Sequence, residues 1–333
     1  MKLKEFKQKL ETNMKCLIFV AFTLLQFSCN NDSSSENLSL LSSRLLAFEG
    51  AGSELKIVEV NQISGLPVST FVDFEPMQAS IDFDFTYFGT TNELFIRKNV
   101  YESGLEPQIV KVNIYTKEER VISSENYDRI IAGKDQLFGL ERIVTNGELK
   151  SINLVEINVE NASKISTMEV FDALSDAPSN NKTGISDIIF SYDTNEIIVP
   201  RRTSFVLNAI DDLIKIDPIS GTKRIVPINH YEAVTIGRNG RLFAIKKIYN
   251  LNSGDLTFFG VVEVNMDNGE EINTLKEFDN SIYYSDPEII FLGESNEILI
   301  DLGILYKINV DSKEESILSN SSGFYNYRSI NIY

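Results

Sequence analysis

The chain alternates apolar and polar positions in short runs that are separated by turns rich in Gly, Asn and Asp. Strict alternation of this kind predicts β-strands with one buried face. One hairpin pattern recurs: a strand, an Asp or Asn, a few turn residues and a second strand. Its copies surround Asn61, Asn113, Asn158, Asp217, Asn265 and Asn309. The Asp or Asn side chain is expected to bond the backbone at the mouth of its turn, so Asp217 is interpreted as a turn residue.

A second hairpin precedes most copies of the first, with two apolar strands around a polar turn. Its sequences are "YFGTTNELFI", "IIAGKDQLFGL", "IIFSYDTNEIIV", "VTIGRNGRLFAI" and "IIFLGESNEILI". The two hairpins together give four short strands, repeated about every 50 residues, which is typical of the blades of a β-propeller.

The two ends of the repeated region complement each other. Residues 45–48 correspond to the second strand of a blade that lacks its first strand, and residues 329–333 form a lone final strand. Pairing them completes a blade and leaves no unpaired strand edge. We therefore predict an all-β fold, a six-bladed β-propeller over residues 44–333 whose ring is closed by the C-terminal strand. A solenoid or a pair of β-sandwiches is the alternative, and neither explains the complementary ends. The pattern resembles six-bladed propellers broadly, including those of bacteroidete lipoproteins, and this architecture hosts many functions.

The N-terminal segment predicts export. Residues 16–27 are almost entirely apolar but shorter than the roughly 20 residues that span a membrane. Ser28, Cys29 and a polar stretch follow, which resembles the looser bacteroidete form of a lipoprotein signal, with Gln26 where a Leu is usual. The resemblance implies a signal peptide over 1–28, a lipidated Cys29, a tether over 29–43 and an outer-membrane lipoprotein, periplasmic or surface-exposed. A plain secretory signal with an incidental Cys is the alternative.

The charge balance is strongly acidic, with 31 Lys and Arg against 48 Asp and Glu and a net charge of −17. Such a balance opposes binding to nucleic acid. Besides the membrane contacted through the lipid, we expect the partner of a monomeric chain to be a small molecule, a glycan or an envelope protein.

Candidate ligand-binding residues lie where segments lead into the innermost strands and where second strands end, because these positions share one face of a propeller. Tyrosines offer a flat apolar surface with a polar tip, and arginines can fork onto carboxylate or phosphate. The candidates are Tyr127, Asp128, Arg201, Arg202, His230, Tyr231, Lys246, Tyr283, Asp286, Tyr327 and Arg328. Alternatively, the tyrosines pack between blades and the charges form ion pairs that contribute little.

Enzyme signatures are scarce. His230 is the single histidine, Cys29 is the last cysteine, and no G-x-S-x-G elbow is present. The residues therefore favour a non-catalytic ligand-binding or scaffold module with no catalytic residue and no cofactor. The alternative is a divalent-cation-dependent hydrolase or lyase that uses carboxylates at the central channel. It rests on a resemblance to six-bladed calcium hydrolases of the gluconolactonase type, in which Glu, Asn and Asp bind the ion. That resemblance makes Ca²⁺ the candidate cofactor and points to Asp128, Asp187 and Asp286, with Asn126 beside them.

Overall fold

The alternating runs fold as short antiparallel strands. In a computed structural model the described residues are 43–49, 55–74, 84–100, 106–123, 125–146, 148–172, 184–185, 187–202, 209–250, 253–279, 287–293, 295–320 and 324–331. The first strands are β1 (Ser43–Glu49), β2 (Leu55–Val60), β3 (Pro67–Phe74), β4 (Asp84–Phe88), β5 (Glu93–Val100), β6 (Glu106–Asn113), β7 (Glu119–Ser123) and β8 (Arg129–Ala132).

The middle of the chain continues with β9 (Leu137–Thr145), β10 (Glu148–Ile157), β11 (Lys164–Asp172), β12 (Gly184–Ile185), β13 (Ile189–Ser191), β14 (Glu196–Arg202), β15 (Ile210–Ile216) and β16 (Lys223–Ile236). The last strands are β17 (Leu242–Tyr249), β18 (Leu256–Val264), β19 (Glu271–Glu277), β20 (Glu288–Leu292), β21 (Glu297–Asp301), β22 (Ile304–Asn309), β23 (Glu315–Asn320) and β24 (Phe324–Asn331). A single 3₁₀ turn covers Arg238–Gly240 among the described residues.

Four of the sheets have four strands each: β4 to β7, β8 to β11, β20 to β23, and a sheet ordered β24-β1-β2-β3. The prediction of an all-β, propeller-like arrangement of sheets is confirmed. The fifth sheet is larger than predicted, because β16 runs on from one four-stranded unit into the next. Residues 223–227 of β16 pair with β15, residues 233–236 pair with β17, and Tyr231 between them pairs with both. His230 has a φ of 47° there, which lets the strand change partners without a loop.

The six Asp or Asn turns share one hydrogen-bond pattern. Asp217 Oδ1 accepts bonds from the amides of Ile219 at 2.8 Å and Ser220 at 3.3 Å, which confirms its role as a turn residue. The residue four positions after each Asp or Asn has a positive φ, and the six are Gly65, Lys117, Ala162, Gly221, Gly269 and Lys313. These turns lie at one end of the sheets, which we name the turn end.

The apolar core lies between neighbouring sheets. Phe243 of β17 stacks on Phe291 of β20, with ring centroids 6.1 Å apart. In the same way, Leu45 of β1 belongs to one buried cluster with Leu299 of β21, so the first and last sheets pack together. Each sheet thus buries its faces against the sheets on either side. No helix among the described residues is long and apolar enough to cross a membrane.

Basic side chains join neighbouring sheets at the turn end. Lys307 Nζ lies 3.3 Å from a carboxylate oxygen of Glu297 in its own sheet and 3.4 Å from the Gln62 carbonyl in the first sheet. Arg241 pairs in the same manner with Glu263 of its sheet and Asp311 of the next, at 2.7 Å each. Lys111 makes the corresponding contacts between its sheet and the next, and Lys215 makes them between two parts of the fifth sheet.

Candidate functional site

The opposite end of the sheets, where the innermost strands begin and the second strands finish, is named the loop end. Five innermost strands share a carboxylate four residues before the strand finishes in its hairpin. These residues are Asp84, Asp128, Asp187, Glu232 and Glu288. The hairpin register therefore brings an acidic group from five units to one end of the molecule.

Asp84 has a structural task. It is 3% exposed, its Oδ1 accepts a bond from the Phe85 amide at 3.0 Å, and its Oδ2 accepts one from the Ile130 amide at 3.0 Å. Because Ile130 belongs to β8, this carboxylate fastens one innermost strand to the next. Thr86 repeats the link through the amide of Ala132 at 2.9 Å.

Basic side chains face these acids from the second strands. Arg97, Lys98 and Arg201 are buried, although such groups are almost never buried unless paired. Desolvation by burial lowers the pKa of Lys98, against a smaller opposing effect of Glu119. Arg142 Nε lies 2.7 Å from Asp128 Oδ2. The loop end thus combines buried positive charge with carboxylates.

Arg201 is held by the neighbouring strand. Its Nε donates to Asp212 Oδ2 at 3.1 Å, and its Nη2 donates to the same oxygen. Arg201 and Asp212 face each other in the pairing of β14 with β15. Arg202 follows Arg201 in β14 and Asp211 precedes Asp212 in β15, so both lie at the loop end of these paired strands.

One acid–base contact of the loop end lies where β16 changes partners. The imidazole Nδ1 of His230 contacts a carboxylate oxygen of Asp211. The His230 side chain is 64% exposed and the Asp211 side chain only 11%, so a buried carboxylate holds an accessible imidazole. Two residues on, Glu232 is the extra residue of a β-bulge, and its carboxylate lies 3.9 Å from Lys247 Nζ. His230 and Glu232, each in contact with a group of the opposite type on a neighbouring strand, therefore lie two residues apart on β16.

The two predicted tyrosines that the structure describes lie in the core. Tyr127 and Tyr231 are fully buried, and burial is the main cause that raises the pKa of each to about 12. The Tyr127 hydroxyl donates to the Ala162 carbonyl at 3.2 Å, whereas that of Tyr231 has no hydrogen-bond partner within the described residues. Neither side chain is available to a ligand at the surface, so both fit the alternative of packing.

The remaining predicted residues divide into three groups. Arg201, Arg202 and His230 come together around β15, and Asp128 lies at the same end beside Arg142. Lys246 forms an ion pair with Glu271. Tyr283, Asp286 and Cys29 lie outside the described residues, as do the side chains of Tyr327 and Arg328 in β24.

Sequence reasoning missed Asp211, which holds the imidazole. The signal that could have found it is the pair Asp211 and Asp212 at the start of an apolar strand, opposite the pair Arg201 and Arg202. Two consecutive acids on one strand opposite two consecutive arginines on the next predict contacts between the strands.

Of the three carboxylates proposed for calcium, the structure describes Asp128 and Asp187. Across the described parts of the chain, no group of three or more His, Cys, Asp or Glu is arranged to hold a metal ion. Asp128 instead contacts Arg142, and one oxygen of Asp187 accepts a bond from the Ile188 amide at 2.8 Å. The third residue, Asp286, lies outside the described part.

No family model and no curated protein matches the sequence. Among solved structures, TolB from Acinetobacter baumannii is 12% identical over 86% of this chain and 66% of its own, with a TM-score of 0.57. The periplasmic gluconolactonase PpgL of Pseudomonas aeruginosa is 10% identical over 87% of this chain and 99% of its own, with a TM-score of 0.51. A Bacteroides uniformis protein, provisionally assigned as a 6-phosphogluconolactonase, is 9% identical over 87% and 100%, with a TM-score of 0.52.

At these identities the similarity shows the β-propeller architecture. It also corrects the prediction of a non-catalytic binding or scaffold module. The finding against that prediction is that two of the three propellers, each matched over nearly its whole length, carry the names of lactonases.

Proposed function

We propose that this protein is a hydrolase that opens a lactone, or another ester of a sugar acid, at the loop end. The observation that carries the proposal is the pair of adjacent acid–base contacts on β16, His230 with Asp211 and Glu232 with Lys247. Support also comes from the similar propellers that are named as lactonases.

Ester hydrolysis makes two demands on a site. A base must take a proton from the attacking water, and positive charge must stabilise the oxyanion that forms on the carbonyl oxygen. The loop end supplies carboxylates and an imidazole for the first demand. Arg202 and Lys247 supply positive charge for the second, and the side chain of Lys247 is only 4% exposed, where charge acts more strongly than in water. An acidic sugar lactone would gain from the same cations.

The test is proton release on ester opening. The protein is mixed in weak buffer with glucono-1,5-lactone, galactono-1,4-lactone and 4-nitrophenyl acetate, and acid production is followed with a pH indicator. We expect at least one substrate to open well above its spontaneous rate, and Glu232→Gln to slow it by at least about tenfold. Glu270→Gln, the same change on an exposed turn-end residue, serves as the control. Spontaneous rates for all three substrates would contradict the proposal.

We also propose that the sheets are six blades in a closed ring, with β16 shared by the fourth and fifth. The pairing of β24 with β1 supports this. So do contacts between successive innermost strands, in the order β24, β4, β8, β13, β16, β20 and back to β24. Deleting residues 321–333 would then abolish cooperative unfolding. A truncated chain that unfolds with unchanged cooperativity and midpoint would contradict closure.

The sequence around Cys29 supports a third proposal, that the propeller is carried on a lipid-anchored chain in the cell envelope. A mass spectrum of the mature N-terminus tests it. A diacylglyceryl-modified Cys29 is expected, and an unmodified N-terminus elsewhere would contradict it.

A further inference from the structure

We propose that His230 is the general base of this site and that Asp211 is the residue that positions it. The inference rests on the proposed hydrolase function and names the group that takes the proton from water. Its starting point is the contact between the imidazole Nδ1 and the Asp211 carboxylate.

The contact fixes the tautomer of the ring. A carboxylate accepts hydrogen bonds and does not donate them, so in the neutral imidazole the proton lies on Nδ1 and the lone pair on Nε2. Because the His230 side chain is 64% exposed and that of Asp211 only 11%, the free nitrogen is accessible while the orienting group is sheltered. A base held by a third group in this way is the arrangement that hydrolases use to activate a nucleophile.

The backbone at His230 is unusual for its position. Among the described residues, the other non-glycine positions with a positive φ lie in turns, whereas His230, with a φ of 47°, lies within strand β16. Residues other than glycine seldom adopt this conformation, and such conformations cluster at functional sites. Here the left-handed residue brings the imidazole to Asp211 at the point where the strand changes partners.

The neighbouring charges suit the developing oxyanion. Arg202 follows Arg201, which pairs with Asp212 next to Asp211, and Lys247 Nζ lies 3.9 Å from the carboxylate of Glu232, two residues from His230. These strands bring a base and two cations to the loop end. No other imidazole occurs in the chain, so every property of histidine measured on this protein belongs to this residue.

The step balances without a co-reactant. His230 Nε2 takes one proton from water as the water oxygen bonds to the ester carbonyl carbon, and the carbonyl electron pair moves onto its oxygen. When the tetrahedral intermediate collapses, that pair re-forms the carbonyl and the bond to the ring oxygen breaks. The leaving oxygen takes the proton from Nε2, which gives an open hydroxy acid and restores the neutral imidazole.

The first experiment removes the imidazole without disturbing the backbone. His230→Gly keeps a residue that accepts a positive φ, so the variant is expected to fold. We expect kcat for the best lactone or ester to fall by about 10²-fold or more, with KM little changed and activity partly restored by added imidazole. Asn239→Gly changes another positive-φ residue, in a turn at the other end, and should keep the wild-type rate.

The second experiment examines the contact between His230 and Asp211 without measuring activity. The ¹⁵N shifts of the single imidazole should show the Nδ1–H tautomer in the wild type and a mixture of tautomers in Asp211→Asn, which should also lower kcat.

The outcomes separate the two proposals. A wild-type protein that opens none of the substrates overturns the proposed function. An active wild type with a fully active His230→Gly variant overturns only the present inference, as does an imidazole whose tautomer is unaffected by Asp211→Asn.

Discussion

The two ends of the sheets are built by different rules. At the turn end the same Asp or Asn turn occurs six times, each side chain accepting a bond from the amide two residues on, with the same positive φ four residues later. At the loop end a carboxylate recurs, but its partner changes from unit to unit. Asp84 accepts a hydrogen bond from a backbone amide, Asp128 pairs with Arg142, and Glu232 lies beside Lys247.

The difference separates scaffold from candidate chemistry. A contact that recurs in every unit contributes to a shape that all units share, so the turn end explains how the sheets are specified. Groups that occur once, such as the His230–Asp211 pair, break the repeat and are expected to serve a task of their own.

The largest effect is expected for an acid of the loop end that is structural. Asp84→Ala leaves the amides of Phe85 and Ile130 without an acceptor in a buried place, so the free energy of unfolding should fall by about 2–4 kcal/mol. Urea denaturation measures it. Asp84→Asn retains one acceptor oxygen and should lose less. Equal, small losses for both variants would show that Asp84 belongs with the chemical acids.

A turn-end change of intermediate size is Asn113→Ala. The Asn113 side chain accepts bonds from the amides of Tyr115 at 2.9 Å and Thr116 at 3.0 Å, and losing them should cost about 1 kcal/mol of unfolding free energy. Asn113→Asp introduces the carboxylate that Asp217 carries in its own turn, so it should change the unfolding free energy little. Ester hydrolysis should be unchanged in both, and a loss of activity would contradict the division between the two ends.

Lys117→Gly should stabilise the protein. Lys117 has a φ of 61° where three of the six turns have glycine, so the substitution should raise the free energy of unfolding by about 1 kcal/mol.

The same residue should make stability depend on pH. Burial, the largest cause, lowers the pKa of Lys117 to about 8 from 10.5. The unfolded chain therefore binds more protons between these values, and wild-type stability should rise with pH across that window. Urea denaturation at pH 7 and pH 10 should show that the variant loses this part of the rise. An unchanged pH dependence would contradict the role of Lys117.

The smallest effect is expected at Tyr231. Its hydroxyl is buried without a hydrogen-bond partner in the described structure, so Tyr231→Phe should change the unfolding free energy by only a few tenths of a kcal/mol. Tyr127→Phe is the matched comparison and should cost about 1 kcal/mol, because its hydroxyl donates to the Ala162 carbonyl. A larger loss of activity for Tyr231→Phe than for Tyr127→Phe would show that Tyr231 belongs to the functional site.

The sequence predicts the fold better than the site for a physical reason. Alternation and recurring turns are local, so Asn61 and its five counterparts can be recognised without knowing what they contact. The continuity of β16 could not be predicted, because it depends on a left-handed residue at His230 that most side chains avoid.

The site depends on contacts between distant parts of the chain. Tyr127 and Tyr231 looked like surface residues because tyrosine suits binding faces, yet packing between sheets buries them. His230 could be singled out as the single histidine, but its partner Asp211 is recognisable only once β15 and β16 are paired.

The most direct test uses the two ends of β15, where Asp211 lies in the strand near its start and Asp217 follows its end. Asp211→Asn and Asp217→Asn make the same chemical change at opposite ends of one strand. We predict that kcat/KM for the best ester substrate falls by about 10²-fold in Asp211→Asn and stays within about twofold of wild type in Asp217→Asn. Equal activity in the two variants would contradict the assignment of function to the loop end.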